Sequence, residues 1–410
     1  MTTSPLLKKA EDYLRKLCVE IPGRSVGSEG NQAATHFFAE SIRPFGFEVE
    51  CPEFTCLDWT ERGVRLIAEG KPFKATASPY SLGCDITAPL IAASNLAELE
   101  ALEPAGQALL LNGELTKEQL MPKNFPFYNP DSHKHIIRLL ETKKPAAIIA
   151  ATSRDPDMVG GAVYPFPLIE DGDFDIPSVF TTEEEGRRLA SFVGREVRLQ
   201  STAIRLCSTG HNVVARKPGQ DASRIVLFAH IDARVGTPGA NDNASGVITL
   251  LLTAELLAQY SCRLGIEMVA MNGEDYYCNP GEQLYLSMNA GKFNAIVLGI
   301  NLDDLAYNKG KTAYSLYNCP PDIDRTIRTA FSRYGSLIES EPWYQGDHGL
   351  FLMHDRPALA ITSELLLELM AEITHTAKDT PEIIDPSKLV DAAHAMRDLI
   401  LALDQLHPDI

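Results

Sequence analysis

A histidine, an aspartate and an adjacent pair of acids, His230, Asp242, Glu274 and Asp275, stand where strands give out and loops begin. Imidazole and carboxylate together suit zinc, manganese or cobalt. An all-oxygen set would suit calcium or magnesium, and a thiolate set a structural zinc. Two neighbouring carboxylates invite a division of labour, in which one coordinates while the other takes a proton from water. A metal that lowers the pKa of water from about 15.7 to about 7 makes hydroxide available at neutral pH. The chemistry on offer is metal-assisted hydrolysis.

The flanking elements would bring these groups together. Ile225 to Ala229 is a short apolar run of strand formers ending in His230-Ile-Asp232. The loop Pro238 to Gly246 is rich in turn formers. Val247, Leu250, Leu251, Ala254 and Leu257 then fall on one face of a predicted amphipathic helix, placing Asp242 just before its N-terminus. A second apolar run, Ile266 to Met271, ends in Asn272-Gly-Glu274-Asp275. A parallel sheet collects such groups along the rim formed by its strands' C-terminal ends.

His-x-Asp, then Pro-Gly-Ala-Asn-Asp-Asn-Ala-Ser-Gly, then an acidic pair after a strand, resembles the M28 family of zinc peptidases, the co-catalytic aminopeptidases that also include glutaminyl cyclases. Arg24-Ser-Val-Gly-Ser-Glu-Gly30, Asn301-Leu-Asp303, Gly346-Asp-His348 with Pro357 to Ile361, and His375-Thr-Ala-Lys-Asp379-Thr resemble further motifs of that family, in the same order. The resemblance implies a site for two zinc ions per chain. Asp242 would bridge them, His230 and Asp303 would complete one, and Asp275 and His375 the other. Glu274 would be the general base, and Asp232 would hold the His230 imidazole in the tautomer that leaves its ligating nitrogen free. Asp303 is preferred over Asp304 by its spacing from Asn301. Three departures stand out. The ligand after Glu274 is an aspartate, one methylene shorter than in Glu-Glu members. Thr374 stands where a tyrosine often precedes the last histidine, so Tyr276, Tyr277 or Tyr344 becomes a candidate oxyanion donor. The loop Tyr276 to Gln283 replaces a short Gly-rich turn.

The function that follows is a metal-dependent hydrolase, an aminopeptidase cleaving N-terminal residues from peptides, with Glu274 as base. The alternatives are a glutaminyl cyclase-like acyl transfer at a single zinc and a carboxypeptidase or amidohydrolase acting on a small amide. A non-catalytic binding protein ranks last, because it would not require Glu274. Arg234, beside Asp232, is the basic group that could favour a substrate carboxylate.

The chain of 410 residues exceeds a typical single domain. Its expected fold class is α/β, a mixed, largely parallel sheet flanked by helices as in zinc peptidases, over 1–59 and 206–410. From about 60 to 205 the texture changes to brief apolar runs, Val64 to Ala68, Leu90 to Ala93 and Ala108 to Leu111, separated by Pro and Gly. This stretch resembles a protease-associated insert, a smaller β-rich α+β domain. Within it Thr181 to Glu185 reads as a capping box, and Asp171, Asp173 and Asp175 as acids that solvate a loop.

A formal charge of −18 with no basic run argues against nucleic acid. No apolar run approaches the roughly 18 residues of a membrane span. The N-terminus moves straight into a helical pattern without a signal-peptide core, so a cytoplasmic location is expected. The partner implied is a peptide or small amide, and a homo-oligomer stays open. Eight scattered cysteines without a CxxC pair read as free thiols, with Cys262 and Cys278 able to pair only in an exported chain.

Overall fold

The structure, a computed structural model, describes residues 4–21, 23–153, 161–261, 263–343 and 346–406. Cys262, Tyr344 and His407 lie outside the described residues. The chain divides into two compact units, Met1–Cys56 with Thr209–Ile410, and Leu57–Ser208. Strands Glu53–Thr60 and Ile204–His211 pair as a two-stranded ribbon at the two crossings between units.

The first unit is built on an eight-stranded sheet. Its strands are β1 (Glu48–Glu50), β2 (Val213–Lys217), β3 (Arg224–His230), β4 (Gly265–Met271), β5 (Ile296–Leu302), β6 (Thr312–Tyr317), β7 (Leu337–Glu339) and β8 (Ala358–Ser363). They lie in the order β1-β2-β4-β3-β5-β8-β6-β7. The central four, β4, β3, β5 and β8, are mutually parallel, and β2 and β6 run antiparallel to their neighbours β4 and β8. Parallel strands are covered on both faces, which is why these read as unbroken apolar runs rather than alternating ones.

Alternate residues of β3 feed two different cores. Ile225, Leu227 and Ala229 pack with Ala10 and Leu14 of helix α1 (Pro5–Arg15), Phe38 of α2 (Glu29–Ile42), Leu250 and Leu251 of α3 (Ser245–Leu256), Ile327 of α5 (Pro321–Phe331) and Leu389 and Met396 of α6 (Pro386–Leu406). Val226 and Phe228 face the other way, against Tyr285 of α4 (Pro280–Met288) and Phe351. Phe228 meets both rings at centroid distances of 4.8 Å. The period of two in a strand thus sets up a three-layer sandwich.

Helix α3 differs from the one-sided pattern expected for it. Every residue from Ser245 to Ala254 is buried. The sequence Val-Ile-Thr-Leu-Leu-Leu-Thr-Ala is apolar around its whole circumference, as a helix enclosed on all sides must be. Its two threonines stay satisfied by bonding back along the helix, Thr249 Oγ1 donating to the Ser245 carbonyl at 2.9 Å and Thr253 Oγ1 to that of Thr249 at 2.7 Å.

The second unit has its own eight-stranded sheet. Its middle, Cys84–Ala93, Ala108–Leu111, Ala147–Thr152 and Ser178–Thr182, is parallel. Leu110 and Ile149 contribute to one core, and Leu109 and Ile148 to another on the opposite face. The side chain of Thr182 caps the helix Glu183–Ala190 by accepting from the Glu185 amide. One expectation fails here: Asp171 does not solvate a loop. It is buried and accepts from the amides of Lys123 at 2.6 Å and Asp173 at 2.7 Å, so it knits the loop from inside. The seven described cysteines are free thiols, and no described helix is long and apolar enough to cross a membrane.

Candidate metal centre

The site lies at the C-terminal rim of the parallel strands. His230 closes β3, the Glu274-Asp275 pair follows β4, and Asp303 follows β5. The loop after β3 brings in Asp242, and the segment after the helix Leu366–Glu372 brings in His375, whose backbone is left-handed at φ 64°. The Asp242–Asn243 peptide bond is cis.

Two clusters form, and they share one residue. His230, Asp242 and Asp303 make the first, and Asp242, Asp275 and His375 the second, with the ligand atoms of each within 4.8 Å of one another. Nε2 of His230 lies 3.0 Å from Asp242 Oδ1 and 3.4 Å from Asp303 Oδ1. Nε2 of His375 lies 3.1 Å from Asp242 Oδ2 and 2.9 Å from Asp275 Oδ1. Asp242 therefore turns one oxygen to each imidazole. Oδ1 of Asp303 and Oδ2 of Asp275 are buried without a hydrogen-bond partner. Buried carboxylate oxygens of that kind are costly unless something completes them. Imidazole with carboxylate is also a donor set suited to zinc, so the residues fit the metal.

Burial alone would raise the Asp242 carboxyl, but hydrogen bonds from His230 and His375 outweigh it and hold the group well below the usual range. Glu274 goes the other way. Burial, then the neighbouring Asp275, Asp303 and Asp347, push it well above an ordinary glutamate, against the opposing pull of His230. Asp304 is also pushed up by burial and by Asp242 and Asp303, but takes no place in either cluster.

Asp232 is placed differently from its expected role. Its Oδ1 lies 3.6 Å from His230 Nδ1, too far for a hydrogen bond. Both oxygens are instead taken by backbone amides, Gly273 at 2.8 Å and Asp275 at 3.0 Å. The carboxylate thus fixes the turn that carries Glu274 and Asp275, and accompanies the His230 ring electrostatically. Of the candidate oxyanion donors, Tyr276 and Tyr277 are buried with ring centroids 4.5 Å apart. Asp347 and His348 are buried as well. Burial raises Asp347 to about 7 and lowers His348 to about 4.

Several contributors carried no readable role in the sequence. Arg24 is 1% exposed and donates to the carbonyls of Ile231, Leu17, Pro238 and Gly239 at 2.8–3.0 Å, tying the loop before Asp242 to the end of β3. Gly239 must be glycine there: its φ is +61°, and a Cβ would lie 2.7 Å from Nη2 of Arg24. Asp379 holds the same loop from the other side, accepting from the amides of Asn241 at 2.7 Å and Asp242 at 3.0 Å. Asn279 donates to the carbonyls of Gly273 and Glu274 and to Glu282 Oε1, bracing the acidic pair from the distinctive 276–283 loop. The signal that could have flagged Arg24 and Asp379 is a charged residue inside a motif whose ligands were already assigned.

A sheet rim presenting two imidazoles around a shared carboxylate, with a further acid beside them, is a donor arrangement of an α/β protein that suits divalent metal. Residues 212–400 match the model of peptidase family M28. Among curated relatives, the probable lipoprotein aminopeptidase LpqL of Mycobacterium tuberculosis is 28% identical over 69% of this chain and 55% of its own. The probable leucine aminopeptidase 2 of Aspergillus fumigatus is 26% identical over 82% of this chain and 67% of its own. The chain thus spans between about half and two thirds of the length of these relatives. Among solved structures, a zinc aminopeptidase from Bacillus subtilis superposes with a TM-score of 0.73 at 20% identity, covering 97% of this chain and 95% of that one, a likeness of fold.

Proposed function

We propose that this protein is a zinc-dependent aminopeptidase that takes two ions per chain and removes N-terminal residues from peptides. The observation that carries the reading is Asp242, whose two oxygens address His230 and His375 separately, with Glu274 three positions past the end of the neighbouring strand. The names of the relatives support the amino end of the substrate over the carboxyl end. His230, Asp242 and Asp303 would hold one ion, and Asp242, Asp275 and His375 the other. When bound, zinc supplies Lewis acidity, which acidifies water and polarises a carbonyl.

The chain's own residues do the rest. Glu274 accepts a proton from the attacking water and returns it to the leaving amine nitrogen. Burial, together with the acids around it, keeps its proton affinity high, which suits the second task. Asp232 holds the Gly273–Asp275 turn so that the base and the neighbouring ligand keep a fixed spacing. Arg24 and Asp379 hold the Asp242 loop from two sides, which limits reorganisation as charge develops.

The test combines zinc content per chain with a panel of aminoacyl amides and short peptides. Metal-replete protein should hydrolyse at least one aminoacyl amide, and Glu274→Gln should lose roughly 100- to 10,000-fold in kcat while keeping its zinc. No turnover on any aminoacyl substrate by zinc-loaded protein would overturn the reading. Cyclisation of N-terminal glutamine with one zinc at saturation would replace it by the acyl-transfer alternative.

A further inference from the structure

The segment Asn279-Pro-Gly-Glu282 opens helix α4 with the spacing of a capping box, in which the first side chain would accept from the amide three residues on. Asn279 makes no such bond. Its Oδ1, the atom that would cap, is buried without a hydrogen-bond partner. Its Nδ2 instead faces the carbonyls of Gly273 at 3.1 Å and Glu274 at 3.2 Å, and Glu282 Oε1 at 3.0 Å. The residue also holds a left-handed backbone at φ 43°, which asparagine tolerates. A side chain that gives up a local bond and leaves a buried acceptor bare is expected where function sets the geometry.

The turn that carries the acidic pair is thereby held from two sides. Asp232 takes its amides, those of Gly273 and Asp275, and Asn279 takes its carbonyls. Gly273 lies at φ +126°, and a Cβ there would stand 2.9 Å from Cδ of Pro280, so the turn rests directly on the start of α4. Asn212 ties the same two segments, accepting from the Asn272 amide at 3.0 Å and donating to the Gly281 carbonyl at 2.8 Å. A bound ion would fix Asp275 through its own carboxylate. Glu274 belongs to neither ligand cluster, so the backbone of the turn has to place it.

We propose that Asn279 is the positioning residue for Glu274: by holding the Gly273 and Glu274 carbonyls it sets where the carboxylate of the base stands, without taking part in zinc binding. The loop 276–283 then has a catalytic task of its own, which is to replace a short Gly-rich turn by a side-chain clamp. Glu282 Oε1 takes the same amide and so ties the clamp to the helix. The inference rests on the reading of Glu274 as the base of an aminopeptidase.

Asn279→Gly tests it, because glycine takes a positive φ without strain and only the amide is lost. In the zinc-loaded full chain, kcat on an aminoacyl amide should fall about 10- to 100-fold, while KM and zinc content stay within about 2-fold. A loss accounted for by lower zinc content or higher KM would mean a merely structural role and overturn the proposal. The double variant is sharper: added to Glu274→Gln, Asn279→Gly should cost less than about 2-fold more, since it acts through the base. A further loss as large as in the single variant would overturn the proposal. Hydrogen exchange gives a readout apart from activity. The Gly273 and Asp275 amides should exchange at least about 10-fold faster in Asn279→Gly, with β4 and the thermal midpoint little changed. Wild-type protein without turnover on any aminoacyl substrate would sink the aminopeptidase reading, and exchange would then decide alone: unchanged protection overturns the clamp, and a loss confined to the turn upholds it.

Discussion

Asp242 stands between His230 and His375 with Oδ1 3.0 Å from one imidazole and Oδ2 3.1 Å from the other. A single carboxylate that serves both clusters makes them interdependent. Asp242→Ala should therefore abolish both metal-binding steps, whereas His375→Ala should abolish one. Elemental analysis after gel filtration in trace zinc checks this, and retention of one full equivalent by Asp242→Ala would show that the clusters do not share it.

The Asp232 carboxylate accepts one amide on each oxygen. An asparagine in its place can accept only one and must turn a donor toward the other. Asp232→Asn should cost about 1–3 kcal/mol in stability and lower kcat more than it raises KM, because the displaced turn carries the base. A change confined to KM would argue that the turn keeps its shape without the second oxygen.

Four carbonyls converge on the buried guanidinium of Arg24. A lysine reaches fewer of them and has no planar fork. With charged hydrogen bonds worth about 1.5–3 kcal/mol each, Arg24→Lys should destabilise the protein by more than about 3 kcal/mol in urea unfolding and weaken the first zinc step. A loss under about 1 kcal/mol would mean that water replaces the missing donors.

Burial keeps the His348 imidazole neutral, its pKa pushed down to about 4, while Nε2 donates to the Trp343 carbonyl at 2.9 Å. In the unfolded chain the same ring takes a proton near 6.5. Between those values the unfolded state binds more protons, so stability is lost as pH falls from about 6.5 towards 4, at up to roughly 1.4 kcal/mol per pH unit. His348→Phe keeps an aromatic ring beside Tyr317 and Trp343, which lie at centroid distances of 4.7 Å, but cannot titrate. Its unfolding free energy should vary less steeply over that range than the wild type's; parallel curves would assign the acid lability elsewhere.

Much of the site could be read along the chain because its parts are local. Apolar runs of strand length fixed where β3 and β4 would end, and so which side chains, His230 and the Glu274-Asp275 pair, would stand at a rim. The turn-rich loop before an apolar helix put Asp242 ahead of α3 in the same way. Even so, periodicity misjudged α3 as one-sided, because a face pattern cannot report how many neighbours a helix has. Only tertiary structure decided that helices and the sheet would enclose it.

The partners were decided at longer range. Asp303 enters a cluster and Asp304, one residue on, does not, because its backbone turns to φ 55° at that point. Asp232 gives its oxygens to amides more than 40 positions away, Arg24 reaches carbonyls 207 to 215 positions away, and Arg234 meets His375 across 141. The amino-acid sequence by itself determined the donor types and the rim on which they stand, through strand period and turn chemistry that act over a few residues. Which donor faces which was settled only by the tertiary structure, the sheet order β4-β3-β5-β8 together with the loops that carry Asp242 and His375, since hydrogen-bond geometry depends on ångström distances between segments that spacing along the chain does not encode.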